Sequence, residues 1–274
     1  MSIEISFPDL PTVPDVVTLQ APVFPEWEVD IVAELARAHE IDAEVVDAGP
    51  WFVARGERAA LEVYQATHSF RFGLVGGDSE SIEPVDVDDG TAVEVALDWV
   101  RRFGDLPVRR EGITVTSEEL LISEAPDTEP VAIVTGRQVN LPLEIDGLPA
   151  LGPGAKAQVT LGAGLAITSA YRFWRETKTA GERRIEPLEA VAERFREARL
   201  FEGLRSGSAE VTGIRLGHYS DPPTEVQRHL RPAYEFTGVL RVEGAEPYEF
   251  IQYAPAAAVP ADKPRRRLLL RPNG

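Results

Sequence analysis

Outside three helical stretches, this chain is a succession of runs in which apolar and polar side chains alternate, each closed by glycine or proline. A two-residue period sends successive side chains to opposite faces of a strand, so such runs belong to sheets with one buried face. "ALEVYQATHSFRFGLV" is read as one strand with Tyr64, Ala66, His68, Phe70 and Phe72 on a common face. "GITVTSEELLIS", "PVAIVTGRQVNL", "AKAQVTLG", "LAITSAYRFWRE", "AEVTGIRLGHYS", "RPAYEFTGVLRVE" and "PYEFIQYAP" are read the same way. Punctuation by 22 glycines and 22 prolines makes an antiparallel meander the expected topology.

The three exceptions carry a helical period. "PEWEVDIVAELARAHE" opens on Pro25 and repeats Trp27, Ile31, Leu35 and Ala38 as an apolar stripe. "GTAVEVALDWVRRFG" offers Thr91 and Glu94 as a capping box, Gly104 as a stop, and Val93, Ala96, Leu97, Val100 and Phe103 as a buried face. "EPLEAVAERFREARL" directs Leu188, Val191, Ala192 and Phe195 inward. Aromatic strand ends also recur: "SFRF" at 69–72, "AYRF" at 170–173 and "AYEF" at 233–236. Helix, strands and recurrence together predict an α+β fold of tandem units, each one helix packed on a small antiparallel sheet. The units are placed at 20–85, 86–182 and 183–260, after an extended segment at 1–19 and before a basic tail at 261–274.

The chain has 274 residues, 43% of them hydrophobic, which is enough to bury a sizeable core. No stretch approaches the roughly 18 apolar residues of a membrane span. The opening "MSIEISFPDLPTVPD" has neither a basic nor an apolar leader region. As the chain stands this suggests a cytoplasmic protein, or an extracytoplasmic one whose leader was removed. Cysteine is absent, which excludes disulfides and thiolate metal sites. A net charge of −17 argues against nucleic-acid binding, which needs a basic surface. The exception is the tail, where Lys263, Arg265, Arg266, Arg267 and Arg271 could contact anionic lipid or a partner.

Four motifs invite chemistry. In "IDGLPALGPGAKAQVTL" Gly147, Gly152 and Gly154 precede Lys156, as in a phosphate-binding loop. Ala155 intervenes, Ala157 replaces the metal-binding hydroxyl, and strand follows instead of helix, so the motif fails. "DVDDG", Asp86 to Gly90, misplaces the glycine of a calcium loop and is explained by helix capping. "GHYSDPP" sets His218, Ser220 and Asp221 close in sequence, but a triad needs convergence in space, and Asp221 before two prolines reads as a turn. His39, His68, His218 and His229 are scattered without ligand spacing. No catalytic, cofactor-binding or metal-binding set emerges. The candidate binding surface is Tyr171, Arg172, Phe173 and Trp174, with Tyr171 and Phe173 on one strand face and Arg172 and Trp174 on the other, together with His218 and Tyr219.

Residues 136–176, followed by the helix at "IEPLEAVAERF", resemble the PepSY-type repeat through Gly147, Pro149, Gly152, Trp174, Glu189 and Ala190. "IRLGHYS" and "LRPAYEF" resemble the ends of YycH/YycI-type regulatory proteins. The resemblance covers about the last two-thirds of the chain. It implies a PepSY-like or cystatin-like module that binds or restrains another protein, such as a protease or sensor kinase. The expected function is therefore non-catalytic protein binding or regulation, including enzyme inhibition, through a protein partner. The rivals are a small-molecule enzyme or carrier of cyclase or isomerase type with an apolar cleft, and a structural assembly component.

Overall fold

The computed structural model describes residues 3–24, 26–67, 69–75, 83–122, 129–197, 207–257 and 269–271. In chain order the first elements are β1 (Ile3–Ser6), β2 (Val16–Pro22), α1 (Val29–Ala38), β3 (Val45–Asp47), β4 (Trp51–Arg55), β5 (Ala59–Tyr64) and β6 (Phe70–Leu74). Next come α2 (Asp89–Arg101), β7 (Thr114–Ile122), β8 (Val131–Leu141), β9 (Glu144–Ile145), β10 (Leu148–Leu151), β11 (Lys156–Leu161) and β12 (Ile167–Phe173). Last are β13 (Thr177–Arg184), α3 (Leu188–Glu197), β14 (Gly207–Tyr219), β15 (Arg231–Val242), β16 (Tyr248–Pro255) and β17 (Leu269–Arg271).

Two large sheets result. The first has eight strands in the order β3-β4-β5-β6-β12-β11-β8-β7, every neighbouring pair antiparallel. The second runs β17-β16-β15-β14-β10-β9, and β1 joins it by pairing with β14. β1 and β10 run parallel to the long β14 at its two ends, Gly207–Glu210 and His218–Tyr219. A separate two-stranded ribbon of β2 and β13 packs Val17 into the core of the second sheet and bridges Gln20 to Leu230.

Each sheet has its own core. Helices α1 and α2 cover one face of the eight-stranded sheet, burying Val32, Ala36, Ala96 and Trp99 against Leu61, Phe70, Val139 and Val159. Helix α3 packs Leu188, Val191 and Phe195 against Val211, Tyr234, Phe236 and Phe250 of the second sheet. Phe7 closes that core edge-on to Phe195 and Phe236, at centroid distances of 5.9 Å to each. Each large side chain buried this way contributes about 1.5–3 kcal/mol.

The expected tandem α+β units are overturned. Among the described residues the protein is mostly β, with 49% strand against 16% helix, and its sheets are large. Strand β6 pairs with β12, and two helices share one sheet, so no helix owns a small sheet of its own. Alternation identifies a strand's buried face but not its neighbour, and here pairing is non-local. "ALEVYQATHSFRFGLV" is also a hairpin and not one strand: Val63 pairs with Phe70, which puts Tyr64 on the face opposite Phe70 and Phe72. His68 lies outside the described residues.

The helices follow their sequences unevenly. In α3, Leu188, Val191, Ala192 and Phe195 are buried, as the spacing predicts. In α2 the cap is Asp88, not Thr91: its carboxylate accepts from the Thr91 backbone N–H at 2.9 Å and from the Thr91 hydroxyl at 2.6 Å. Trp99 joins its buried face. Helix α1 buries Val32 and Ala36, while Ile31 of the expected stripe is exposed. Pro25 lies outside the described residues.

Candidate functional site

Helices cover one face of the eight-stranded sheet, and the other carries a graded surface built by register. One row pairs Trp51 with Tyr64 and Phe173 with Lys156. The next runs Val53, Glu62, Arg71, Tyr171, Gln158, Asn140 and Thr114 across seven strands. A third contains Gly73, Ser169, Thr160, Gln138 and Thr116. Eight strands at about 4.8 Å spacing make this face roughly 34 Å wide.

Its aromatics form a chain. Trp51 meets Tyr64 at 6.1 Å, Tyr64 meets Phe173 at 5.6 Å, and Phe173 meets Tyr171 at 5.5 Å. Arg71 and Lys156 lie over the Tyr171 ring at 5.4 and 5.0 Å. All four rings are half-buried, and none belongs to either hydrophobic core. Partial burial, with Glu62 as a lesser cause, raises the Tyr64 hydroxyl above its usual pKa. In the polar middle, Gln158 and Thr160 are only 6% and 3% exposed, and the Thr160 hydroxyl has no hydrogen-bond partner.

Beyond this middle the sheet narrows to an arm. β11 pairs with β8 only over Arg137–Leu141, so Glu119–Ile122 and Val131–Val134 continue as a two-stranded ribbon, with the Val85 N–H donating to the Val134 carbonyl at 2.9 Å. A bulge between Glu118 and Glu119 marks the departure. Leu120 pairs with Ile133 and Ile122 with Val131, making one face of the arm wholly aliphatic. Leu121 and Val131 are 65% and 64% exposed. A two-stranded ribbon with so much open apolar surface is not explained by its own packing.

The six residues singled out in the sequence do not form one surface. Tyr171 and Phe173 lie on the helix-free face. Arg172 and Trp174 point the other way and are buried, with the Arg172 guanidinium 5.9 Å from the Phe70 ring. Burial lowers the Arg172 pKa to about 10, against the opposing pull of Glu176. His218 and Tyr219 belong to β14, where it pairs with β10 of the second sheet.

That pairing lies at a polar junction between the sheets, and it gathers three of the sequence motifs. Arg175, two residues past β12, is 2% exposed. Its Nη1 donates to the Ser220 hydroxyl at 2.5 Å and the Asp221 carbonyl at 2.6 Å; its Nη2 donates to the carbonyls of Pro222 and Glu225 at 2.7 Å each. Burial lowers its pKa to about 10, with Asp221 and Glu225 opposing. Gln227 closes the loop by accepting from the Asp221 N–H and donating to the Tyr219 carbonyl, both at 3.0 Å. Asp221 also pairs with Arg231. A Cβ on Gly154 would collide with the Asp221 carbonyl and the Arg175 guanidinium, so the "GPG" stretch is glycine-rich for close packing.

These hydrogen bonds hold the loop after β14 against the end of β12. The Ser220 hydroxyl is engaged by Arg175, and neither ring nitrogen of His218 has a hydrogen-bond partner, so the two do not form a nucleophile–base pair. Burial lowers the His218 pKa, with Asp146 opposing. Among the described residues no group of three His, Cys, Asp or Glu is arranged to hold a metal. Two shallow recesses flank α2; Arg110 lines both, beside Leu97 and Val100 in one and Val93 and Glu94 in the other. No helix among the described residues is long and apolar enough to cross a membrane. Lys263 and Arg265 to Arg267 of the basic tail lie outside the described residues, while Leu269–Arg271 pairs with β16.

Sequence reading passed over Trp51, Arg71 and the arm. The signal for the arm was present in "EELLIS" and "PVAIV", where consecutive apolar residues break the alternation expected of a strand with one wet face.

No protein-family model matches the chain. No curated protein matches it either. Among solved structures, it is similar to an uncharacterized protein from Eubacterium rectale ATCC 33656, with a TM-score of 0.49 and 11% identity. The match covers 92% of this chain and 88% of that one.

Proposed function

We propose that this chain is a non-catalytic, protein-binding or regulatory module that engages its partner through the helix-free face of the eight-stranded sheet and the arm extending from it. One observation carries the reading: half-buried Trp51, Tyr64, Tyr171 and Phe173 and exposed Leu120 and Val131 occupy the side of the sheet opposite the one that helices α1 and α2 cover. Aromatic and arginine side chains anchor protein interfaces because they bury large area at small entropic cost. The resemblance of residues 136–176 and the following helix to the PepSY-type repeat, whose members bind other proteins, points the same way.

The test is affinity capture from the source cells with the full chain as bait. A stoichiometric partner is expected, and Tyr171→Ala with Phe173→Ala should weaken its capture at least about tenfold, as removal of interface anchors does. Circular dichroism should show the double variant folded. Capture that survives both this variant and Leu120→Asp, or the absence of any stoichiometric partner, would sink the reading.

A further inference from the structure

The kind of partner is written in the edge strand β7. It closes the eight-stranded sheet, and among the described residues no strand pairs with its outer side. Its nine residues therefore present one row of N–H and C=O groups on which an extended segment can add. The opposite edge, β3, is three residues long and offers no comparable template.

Chemistry narrows the occupant. Between Thr114 and Gly136 the sequence holds Glu118, Glu119, Glu124, Asp127 and Glu129, and no lysine or arginine. Glu118 and Glu119 are exposed on β7 itself, beside exposed Leu120 and Leu121. A second copy of β7 is disfavoured, because antiparallel self-pairing centred there would set carboxylates against carboxylates. The same carboxylates complement a cationic strand, and the leucines complement its aliphatic side chains.

Resting on the protein-binding reading above, we infer that β7 accepts a basic, aliphatic-rich segment of another protein as a ninth strand. Lysine or arginine lies opposite Glu118 and Glu119, and aliphatic residues pack along Leu120 and Leu121. The partner segment must be extended and unpaired before it binds, since its backbone completes the sheet.

The probe is a capped peptide of paired lysines followed by paired valines (Lys-Lys-Val-Val repeats), titrated into the full chain by fluorescence anisotropy, with hydrogen exchange to locate it. Binding should slow exchange across Thr114–Ile122 and weaken as salt rises. Glu118→Lys with Glu119→Lys should weaken binding at least about tenfold and confer binding of the matching glutamate–valine peptide. Glu34→Lys with Glu44→Lys, equally exposed and toward the opposite edge, should leave affinity unchanged. Equal loss in both pairs of variants means diffuse attraction to an acidic body and overturns the inference. So does binding without protection of β7. A partner captured through Tyr171 and Phe173 while β7 stays unprotected refutes strand addition alone; failure to capture any partner refutes the reading beneath it.

Discussion

His39 shows how one side chain ties the helices to the sheet. Its ring stacks on Phe103 at 4.3 Å and lies 5.4 Å from Trp99 and 5.2 Å from Phe72. Burial, and secondarily Arg102, lowers its pKa from 6.5 to about 4, and its Nε2 has no partner. The folded state therefore holds the imidazole neutral, while the unfolded chain takes up a proton near its ordinary pKa. The stability contributed is complete above pH 6.5 and is lost as pH falls toward 4. At ~1.4 kcal/mol per pKa unit, discounted for screening at the partly exposed ring, the loss is on the order of 2 kcal/mol. His39→Phe keeps an aromatic ring in the stack and removes the proton. Urea unfolding near neutral pH and at acid pH should show the variant losing less stability than the parent, by roughly 1–2 kcal/mol. Equal losses in both would exclude His39 as the cause.

Among elements, the loop after β14 depends on Arg175 more than on its own packing. One buried guanidinium satisfies four acceptors between Ser220 and Glu225. Arg175→Met fills much of the volume but strands those acceptors, and should cost at least ~3 kcal/mol. Arg175→Lys retains the charge without the planar fork and should fall between the two. Denaturant midpoints measure both, and proteolysis at 221–227 should accelerate in step with the loss. Legibility also varied by element. Helix α3 was readable because its apolar residues fall at helical spacing and all meet one sheet. The β5–β6 hairpin was hidden because its turn, Gln65 to Ser69, contains no glycine, proline, asparagine or aspartate. The arm was hidden because alternation is read as wet against dry, and here both faces are open.

For the whole molecule, the two cores are coupled at the junction by the Arg175 hydrogen bonds and by the Gln20 side-chain amide, which donates to Asp146 at 2.5 Å; the Gln20 backbone carbonyl also accepts from the Leu230 N–H at 2.8 Å. With both links intact, calorimetry should show one cooperative transition. Arg175→Met combined with Gln20→Ala should split it into two, one per sheet, because each sheet keeps its own helices and buried aromatics. A single transition in the double variant would show that the cores are coupled by other contacts. By itself the sequence determined local matters: where the three helices and many of the strands lie, and that Tyr171 and Arg172 face opposite ways. Only the tertiary structure decided that strands from distant segments share one sheet, that its second face carries the aromatics, and that β7 ends it. Backbone periodicity is a property of neighbours in the chain, whereas pairing, coverage and edges depend on which distant segments bury each other's surface.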